Sequence, residues 1–386
     1  MAGRAIGRAI LVFLIIGPIA TLAADVDAER TWLIERFDGQ ITAQVEAAVA
    51  RPPKTVTGRM AWKEAYTLAA LAEMLEATRD VRYAELFVKL ADWAAAARDD
   101  RQNRRDVVRG RIMPAWGSAH YSQGEHYVFA VHTGVIAAPM ARFAGTVRRD
   151  PVLSKRYAEA AERFLRIAEE AVAVHADQYT DGPGENEGYL NNRRTGKLLP
   201  LNQQNALGCA WLFIDDATGK PQHRERIRRL AWFLKNRLRK ADDGAYLWAY
   251  WPPLDGVGQG FEDISHAAIN VDFIVLCAER DIVFTGEDLV RLEKTLLAHV
   301  IRPDGSVANT VGGTGDPKNL AGQVLRWGRL ATYCRGARER LLEMAHTLPL
   351  EKVHSSPLGL AHLVAACNRP ATTAPTSQPA RPARLP

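Results

Sequence analysis

Apolar positions recur at helical spacing along nearly the whole chain, in two alternating styles. In the first, a charged face runs beside an apolar one. Residues 156–172 place Tyr157, Ala160, Phe164, Leu165, Ala168 and Val172 at helical spacing, with Arg and Glu on the other side. Residues 223–239 (Ile227, Leu230, Phe233, Leu234, Leu238) and 287–300 (Leu289, Leu292, Leu296, Val300) obey the same rule. So, less regularly, do 28–49, 80–97 and 336–347. In the second style the segment is apolar or small almost all round: 62–77, 127–144, 202–214, 264–278, 319–334 and 356–367. A helix without a polar face is buried on every side, whereas one with a charged stripe lies half in water. Six helices of each kind, alternating, predict an all-α fold of two concentric layers, an (α/α)6 toroid. Pro139 is expected to kink or end the second inner helix. Strand-like alternation is nearly absent. A superhelical stack of helix pairs is the structural competitor, but such stacks carry a sequence period that these pairs lack.

The two ends stand apart from this pattern. Arg4 and Arg8 precede an apolar run, Ala9 to Ile19, and a small-residue exit, Thr21 to Ala24. That is the layout of a secretory signal over residues 1–24, with an uncleaved anchor as the alternative. The apolar run is short for a membrane span, so a secreted or periplasmic protein without stable membrane insertion is expected. Residues 369–386 mix Pro, Ala, Thr and Arg without periodicity and cannot bury enough apolar surface to fold. A toroid domain over 25–368 is left. With 47% hydrophobic and 24% charged residues among 386, the chain can build a sizeable core. Cys209, Cys277, Cys334 and Cys367 fall in apolar helical runs without metal-ligand spacing, and read as buried thiols rather than a disulfide framework. The formal charge of +6 favours an acidic partner. Arginines are scattered and no nucleic-acid motif occurs, so an acidic polysaccharide fits an exported chain better than a nucleic acid.

Chemistry-bearing residues collect just before the inner helices, which in a toroid share one polarity and open at one mouth. Before the second inner segment stand His120, Tyr121, Glu125, His126 and Tyr127. Before the third stand Glu187, Tyr189, Asn191, Arg193 and Arg194, followed by Asn202 and Gln203. Before the fourth stand Trp248, Tyr250 and Trp251, then Glu262, Asp263 and His266, with Asn270 one turn further on. Each has an ordinary alternative: Asn202, Asp263 or Ser265 as a helix cap, His126 or His132 as a core histidine, the tryptophans as core aromatics, Arg193 and Arg194 as a solvated turn. Together they mix aromatic faces with amides and carboxylates. A sugar chain needs that mixture, for stacking on its ring faces and for its hydroxyls.

With His120 to Tyr127, Tyr189 to Gly196, Leu201 to Gly208 and Glu262 to Ala267 in view, the chain resembles the six-hairpin (α/α)-toroid carbohydrate-active enzymes. These include uronate polysaccharide lyases, glucuronyl C5-epimerase-like domains and toroid glycoside hydrolases. The resemblance implies β-elimination on a uronic-acid polysaccharide, without cofactor or metal. His126, His120 and His266 would be bases or orienting groups, and Tyr121, Tyr127, Tyr189 and Tyr250 acids. Asn191, Asn202, Gln203 and Arg193 would neutralise the uronate, without which the C5 proton is hard to remove. The catalytic set expected is thus His126, Tyr189, His266, Tyr121 and Asn202. A hydrolase would instead need two carboxylates across the bond, for which Glu187 with Glu262 or Asp263 could serve. A non-catalytic carbohydrate-binding protein would use the aromatics alone. An epimerase fits less well, because such enzymes usually carry an extra β-domain for which this chain has no room.

Overall fold

The computed structural model describes residues 17–54, 57–350, 353 and 355–369. The helices come in six outer–inner pairs. Outer helix α1 (Gly17–Val49) leads through the single turn α2 (Arg59–Trp62) into inner helix α3 (Glu64–Thr78). Then α4 (Val81–Ala96) precedes α5 (Ala130–Arg149), α6 (Pro151–Ala173) precedes α7 (Leu201–Thr218), and α8 (Arg224–Lys235) precedes α9 (Ile264–Ala278). Helix α10 (Gly286–Lys294), prolonged by the π-helical Thr295–Val300, precedes the 3-10 helix Lys318–Thr332, and α11 (Arg335–Thr347) precedes α12 (Ser356–Cys367). Each inner element packs on the next, α3 on α5, α5 on α7, α7 on α9, α9 on the 3-10 helix, that helix on α12, and α12 back on α3. The ring is closed, and the architecture is an all-α toroid.

Burial follows the two hydrophobic patterns. Outer helix α6 buries Leu153, Tyr157, Phe164, Leu165, Ala168 and Val172, while inner helix α9 buries almost its whole circumference. Layers meet through contacts such as Phe87 of α4, stacked on Phe143 of α5 at 4.4 Å and edge-on to Phe164 of α6 at 5.9 Å. Such aromatic pairs contribute about 0.5–1.5 kcal/mol each beyond their burial. Neighbouring inner helices approach closely where a side chain is missing. A Cβ on Gly134 would lie 2.3 Å from the Ala206 backbone, so α5 and α7 can meet only through glycine.

The connections differ sharply between the two ends of the ring. Inner-to-outer turns are short: Asp150 alone ends α5 and caps α6, its carboxylate accepting from Val152 and Leu153 N–H. Outer-to-inner connections are long and carry the β structure, four antiparallel two-stranded ribbons: β1 (Arg105–Asp106) with β2 (Arg111–Ile112), β3 (Gly117–Ser118) with β4 (Tyr127–Val128), β5 (Tyr179–Asp181) with β6 (Gly188–Leu190), and β7 (Arg239–Lys240) with β8 (Tyr246–Leu247). All these loops sit at the inner-helix N-termini and build one elaborated mouth.

Three expectations change in detail. The fifth inner element is a 3-10 helix, α5 runs on through Pro139 to Arg149, and the ribbons are too short to show as sequence alternation. Cys209, Cys277, Cys334 and Cys367 are free thiols, the first three buried. The signal expected over 1–24 lies outside the described residues up to position 16, and from Gly17 the chain already belongs to α1. The tail beyond Arg369 also lies outside them. No helix among the described residues is long and apolar enough to cross a membrane.

Candidate functional site

Helical spacing explains why α7 and α9 face one another with amides. Asn205 of α7 donates to Asn270 of α9 at 2.7 Å, and Asn270 donates to Glu262 Oε2 at 2.5 Å. Trp248 Nε1 donates to the same Glu262 oxygen. One turn nearer the mouth on the same faces stand Asn202 and His266. Asn202 is buried, and neither its Oδ1 nor its Nδ2 has a partner.

Asp263 is the N-cap of α9. Its Oδ1 accepts from Ser265 and His266 N–H, and its Oδ2 lies 2.5 Å from His266 Nδ1. The dyad is accessible, with side chains 29% and 37% exposed. Glu262 and the extended N-cap Asp263 run between neighbouring backbones, Glu262 N–H bonding Trp248 O and the first helical N–H, that of Ile264, bonding Asn309 O. Consecutive side chains of an extended segment point to opposite sides, so Glu262 enters the interior while Asp263 stays at the surface. Their proton affinities part accordingly. Burial pushes the Glu262 carboxyl well above the carboxylate range, against its bond from Trp248. Burial acts on Asp263 as well, but His266 and two backbone N–H groups outweigh it and hold that carboxyl below its ordinary value.

A run of rings continues from the dyad around the mouth. Tyr250 lies 5.1 Å from His266 between ring centroids, Trp62 6.3 Å from His266, His132 5.6 Å from Trp62, and Tyr121 5.8 Å from His132. Gln203 meets the Tyr250 hydroxyl, which burial raises above its ordinary value against that bond. His120 stands edge-on to Tyr121 at 4.6 Å. Trp62 Nε1, His132 Nε2 and Glu262 Oε1 are buried without partners, like the Asn202 amide. Burial alone holds the His132 ring neutral, its pKa lowered to about 3. Buried polar groups are nearly always hydrogen-bonded, so orphans at four successive inner-helix starts make the mouth the candidate site for a polar ligand.

The other candidates have partners of their own. His126 lies 2.8 Å from the buried Asp99, whose carboxyl burial raises against that contact. Tyr127 is buried, its hydroxyl accepting from Arg193 N–H at 3.3 Å. Tyr189 stacks on Phe233 of outer helix α8 at 5.5 Å rather than on any of the mouth rings. Glu187 is buried beside it, held by Arg237 at 2.7 Å and Asn236 at 2.5 Å. Asn191 donates to Thr180 at 3.3 Å, Arg193 pairs with Asp177 at 3.4 Å, and Arg194 with Glu125 at 2.8 Å. Trp251 projects into solvent at the rim. Sequence reasoning passed over Asp99 and gave Trp62 and Asn205 no role of their own. Trp62 ends a single turn with no periodicity of its own, and Asp99 lies far from His126 in sequence. Among the described residues no cluster of three or more His, Cys, Asp or Glu side chains is arranged to hold a metal ion.

Beneath the mouth, the axis of the ring holds a cavity of about 70 Å³ lined from all six inner elements, among them Tyr66, Pro139, Cys209, Asp272, Arg329 and Leu358. Around it Glu73 pairs with Arg142 and Arg329, Arg142 with Glu76, and Arg329 with Asp272. The His362 ring lies 3.1 Å from Glu73.

Neither a family model nor a characterised protein sequence matches the chain. Its fold is similar to that of the GH76A alpha-1,6-mannanase from Salegentibacter sp. HEL1_6, with a TM-score of 0.50 and 13% identity over 80% of this chain and 89% of that one. An inactive variant of the same enzyme in complex with alpha-1,6-mannotriose aligns with a TM-score of 0.49 and 13% identity, over 79% and 88% of the two chains. The neighbour is a glycoside hydrolase, not a lyase, and at this identity the likeness concerns the six-hairpin toroid alone.

Proposed function

We propose that the protein is an exported carbohydrate-active enzyme, its toroid spanning 25–368, that hydrolyses glycosidic bonds of an oligo- or polysaccharide laid across the mouth. The observation that carries this reading is the pairing, at one aromatic-lined opening, of an accessible carboxylate–imidazole dyad with a neutral carboxyl that has a free oxygen. Asp263 fixes the His266 Nδ1–H, which leaves Nε2 to take a proton from an attacking water. Glu262 accepts two bonds at Oε2, so its proton belongs on the unpartnered Oε1, the form a general acid requires. Because Glu262 is buried, its role demands that the leaving-group oxygen, or a water touching it, enter the space beside Oε1. Trp62, Tyr121 and Tyr250 offer faces for sugar rings, and Asn202 and Gln203 offer amides for hydroxyls.

β-Elimination is the second reading, favoured by the adjacency of His266 to Tyr250, a base and an acid 5.1 Å apart between rings. One assay separates the two. Purified protein is incubated with alpha-1,6-mannan, neutral β-glucans and uronic-acid polysaccharides, while reducing ends and the absorbance of unsaturated uronate are followed. New reducing ends without the chromophore are expected. Appearance of the chromophore would transfer the site to the lyase reading, and silence on every glycan would end both.

A further inference from the structure

The described residues between α1 and α3 border one side of the mouth, and their charges do not balance. At Gly58, a Cβ would come within 3.0 Å of Tyr121 and 3.1 Å of His132, so this backbone lies directly against the ring cluster. Trp62, four residues on, contacts both His132 and His266. Three cations flank it. Arg51 Nη2 is 2.6 Å and Arg59 Nε 3.6 Å from one oxygen, Glu64 Oε1, and Lys63 follows Trp62 directly. The Glu64 side chain is buried, whereas those of Arg51 and Arg59 are 37% and 51% exposed. One carboxylate therefore pairs with two of these three cations, and no ion pair joins Lys63 to any described residue. Burial and the neighbouring Arg59 push the Lys63 ammonium below its ordinary value, as expected where positive charge is in excess. Across the mouth the situation is reversed, for Arg193 and Arg194 are each matched by a carboxylate, Asp177 and Glu125.

We infer that Arg51, Arg59 and Lys63 form a subsite for an anionic substituent, a carboxylate or sulfate, on the sugar that stacks against Trp62. The inference rests on the glycan reading above and assigns recognition of the anion to the α1–α3 segment, not to Arg193 or Asn191. Arginine forks suit either oxyanion, and the excess charge makes binding salt-dependent.

The test uses three oligosaccharides of one backbone: neutral, uronate-bearing and sulfated. Binding of each is measured by calorimetry at low and high salt, for the full-length protein and for Arg59→Gln and Lys63→Gln. Arg51 is left in place because it neutralises buried Glu64. The expected result is a preference for one or both anionic ligands that shrinks with salt. Each variant should cut the ratio of anionic to neutral affinity about tenfold, the size of one charged hydrogen bond. A ratio unchanged in both variants, or preference for the neutral sugar, would overturn the subsite while leaving the glycan reading standing. Binding of no glycan at all would sink that reading, and the subsite with it.

Discussion

The inner ring buries polar groups at two levels, in opposite ways. Further from the mouth, Glu73, Arg142, Arg329 and Asp272, from four different inner elements, satisfy one another. At the mouth, Trp62, His132, Asn202 and Glu262 keep polar atoms buried and unpaired. Paired buried charges hold elements in register and are neutralised by one another rather than by a ligand. Unpaired ones cost stability and are retained where something else completes them. The lower level is thus the frame of the toroid and the upper level the proposed site.

The largest expected effect lies in the frame. Glu73→Gln removes the carboxylate shared by Arg142 and Arg329 and leaves both guanidinium groups short of charge in the core. A loss of about 3–5 kcal/mol is expected in denaturant unfolding. Burial would raise the Glu73 carboxyl, but Arg142, Arg329 and His362 outweigh it and hold it well below the carboxylate range. Its stabilisation is therefore present above the unfolded carboxyl value and is lost as pH falls through the lower folded one. A variant as stable as the parent at pH 7 would erase the distinction between the two levels.

Next comes the dyad. His266→Ala should lower turnover on the responsive glycan by roughly a hundredfold or more, with little change in melting temperature because the Asp263 cap on the α9 backbone remains. Glu262→Gln is the finer cut. A carboxyl already neutral in the fold loses little stability as an amide, so unfolding should shift by only about 0.5 kcal/mol while turnover falls at least tenfold. Large destabilisation would mean that Glu262 is ionised and belongs with the frame.

His132 gives a titration opposite in origin to that of Glu73, since burial and not a charged partner sets it. Its folded pKa, about 3, lies below the ordinary imidazole value, so the unfolded chain binds the extra proton first. Stability should decline as pH drops below about 6.5 and continue to decline toward the folded value. Unfolding midpoints between pH 7 and pH 5 would show the slope, which His132→Gln should reduce by about half, because His175, whose pKa burial lowers to about 4, supplies a slope of the same sign. An unchanged slope would place the proton uptake elsewhere.

How far these levels could be read beforehand depends on what pattern each leaves in sequence. The alternation of charged-stripe and all-apolar helices is a sum over many residues, and it located the inner elements, Ile264–Ala278 among them, to within a few positions. A single charge barely disturbs such a sum. Glu73, Arg142 and Arg329 vanished into apolar helices, and their partners lie 69 and 256 residues away. His266 stood out because helix spacing relates it to Asn270, and Asn202 because it stands at the start of an inner helix. Tyr189 shows the limit. It sits in the three-residue strand β6, where the period is two rather than 3.6, and its side chain turns to Phe233 instead of following its loop neighbours to the mouth. Trp62 and the cations around Glu64 come together only through the turn at Gly58, whose φ of +69° no periodicity announces.

Asn202 allows the most direct test of the comparison, with the smallest expected change in stability. A buried amide with neither donor nor acceptor paired is a net cost to the fold, so Asn202→Leu, similar in size, should leave stability unchanged or raise it by about 1 kcal/mol. Asn270→Leu, one layer down on the facing helix, should do the opposite. It strands the Asn205 donor and removes a bond to Glu262, and a loss of about 2 kcal/mol is expected. If the orphaned amide exists for a sugar hydroxyl, the neutral-to-stabilising Asn202→Leu must also weaken glycan binding, by about tenfold for one hydrogen bond left unmade at a buried contact. Gain of stability with loss of affinity is the signature of a site group. Loss of both would assign Asn202 to the frame, and loss of neither would mean that the amide faces nothing the ligand uses.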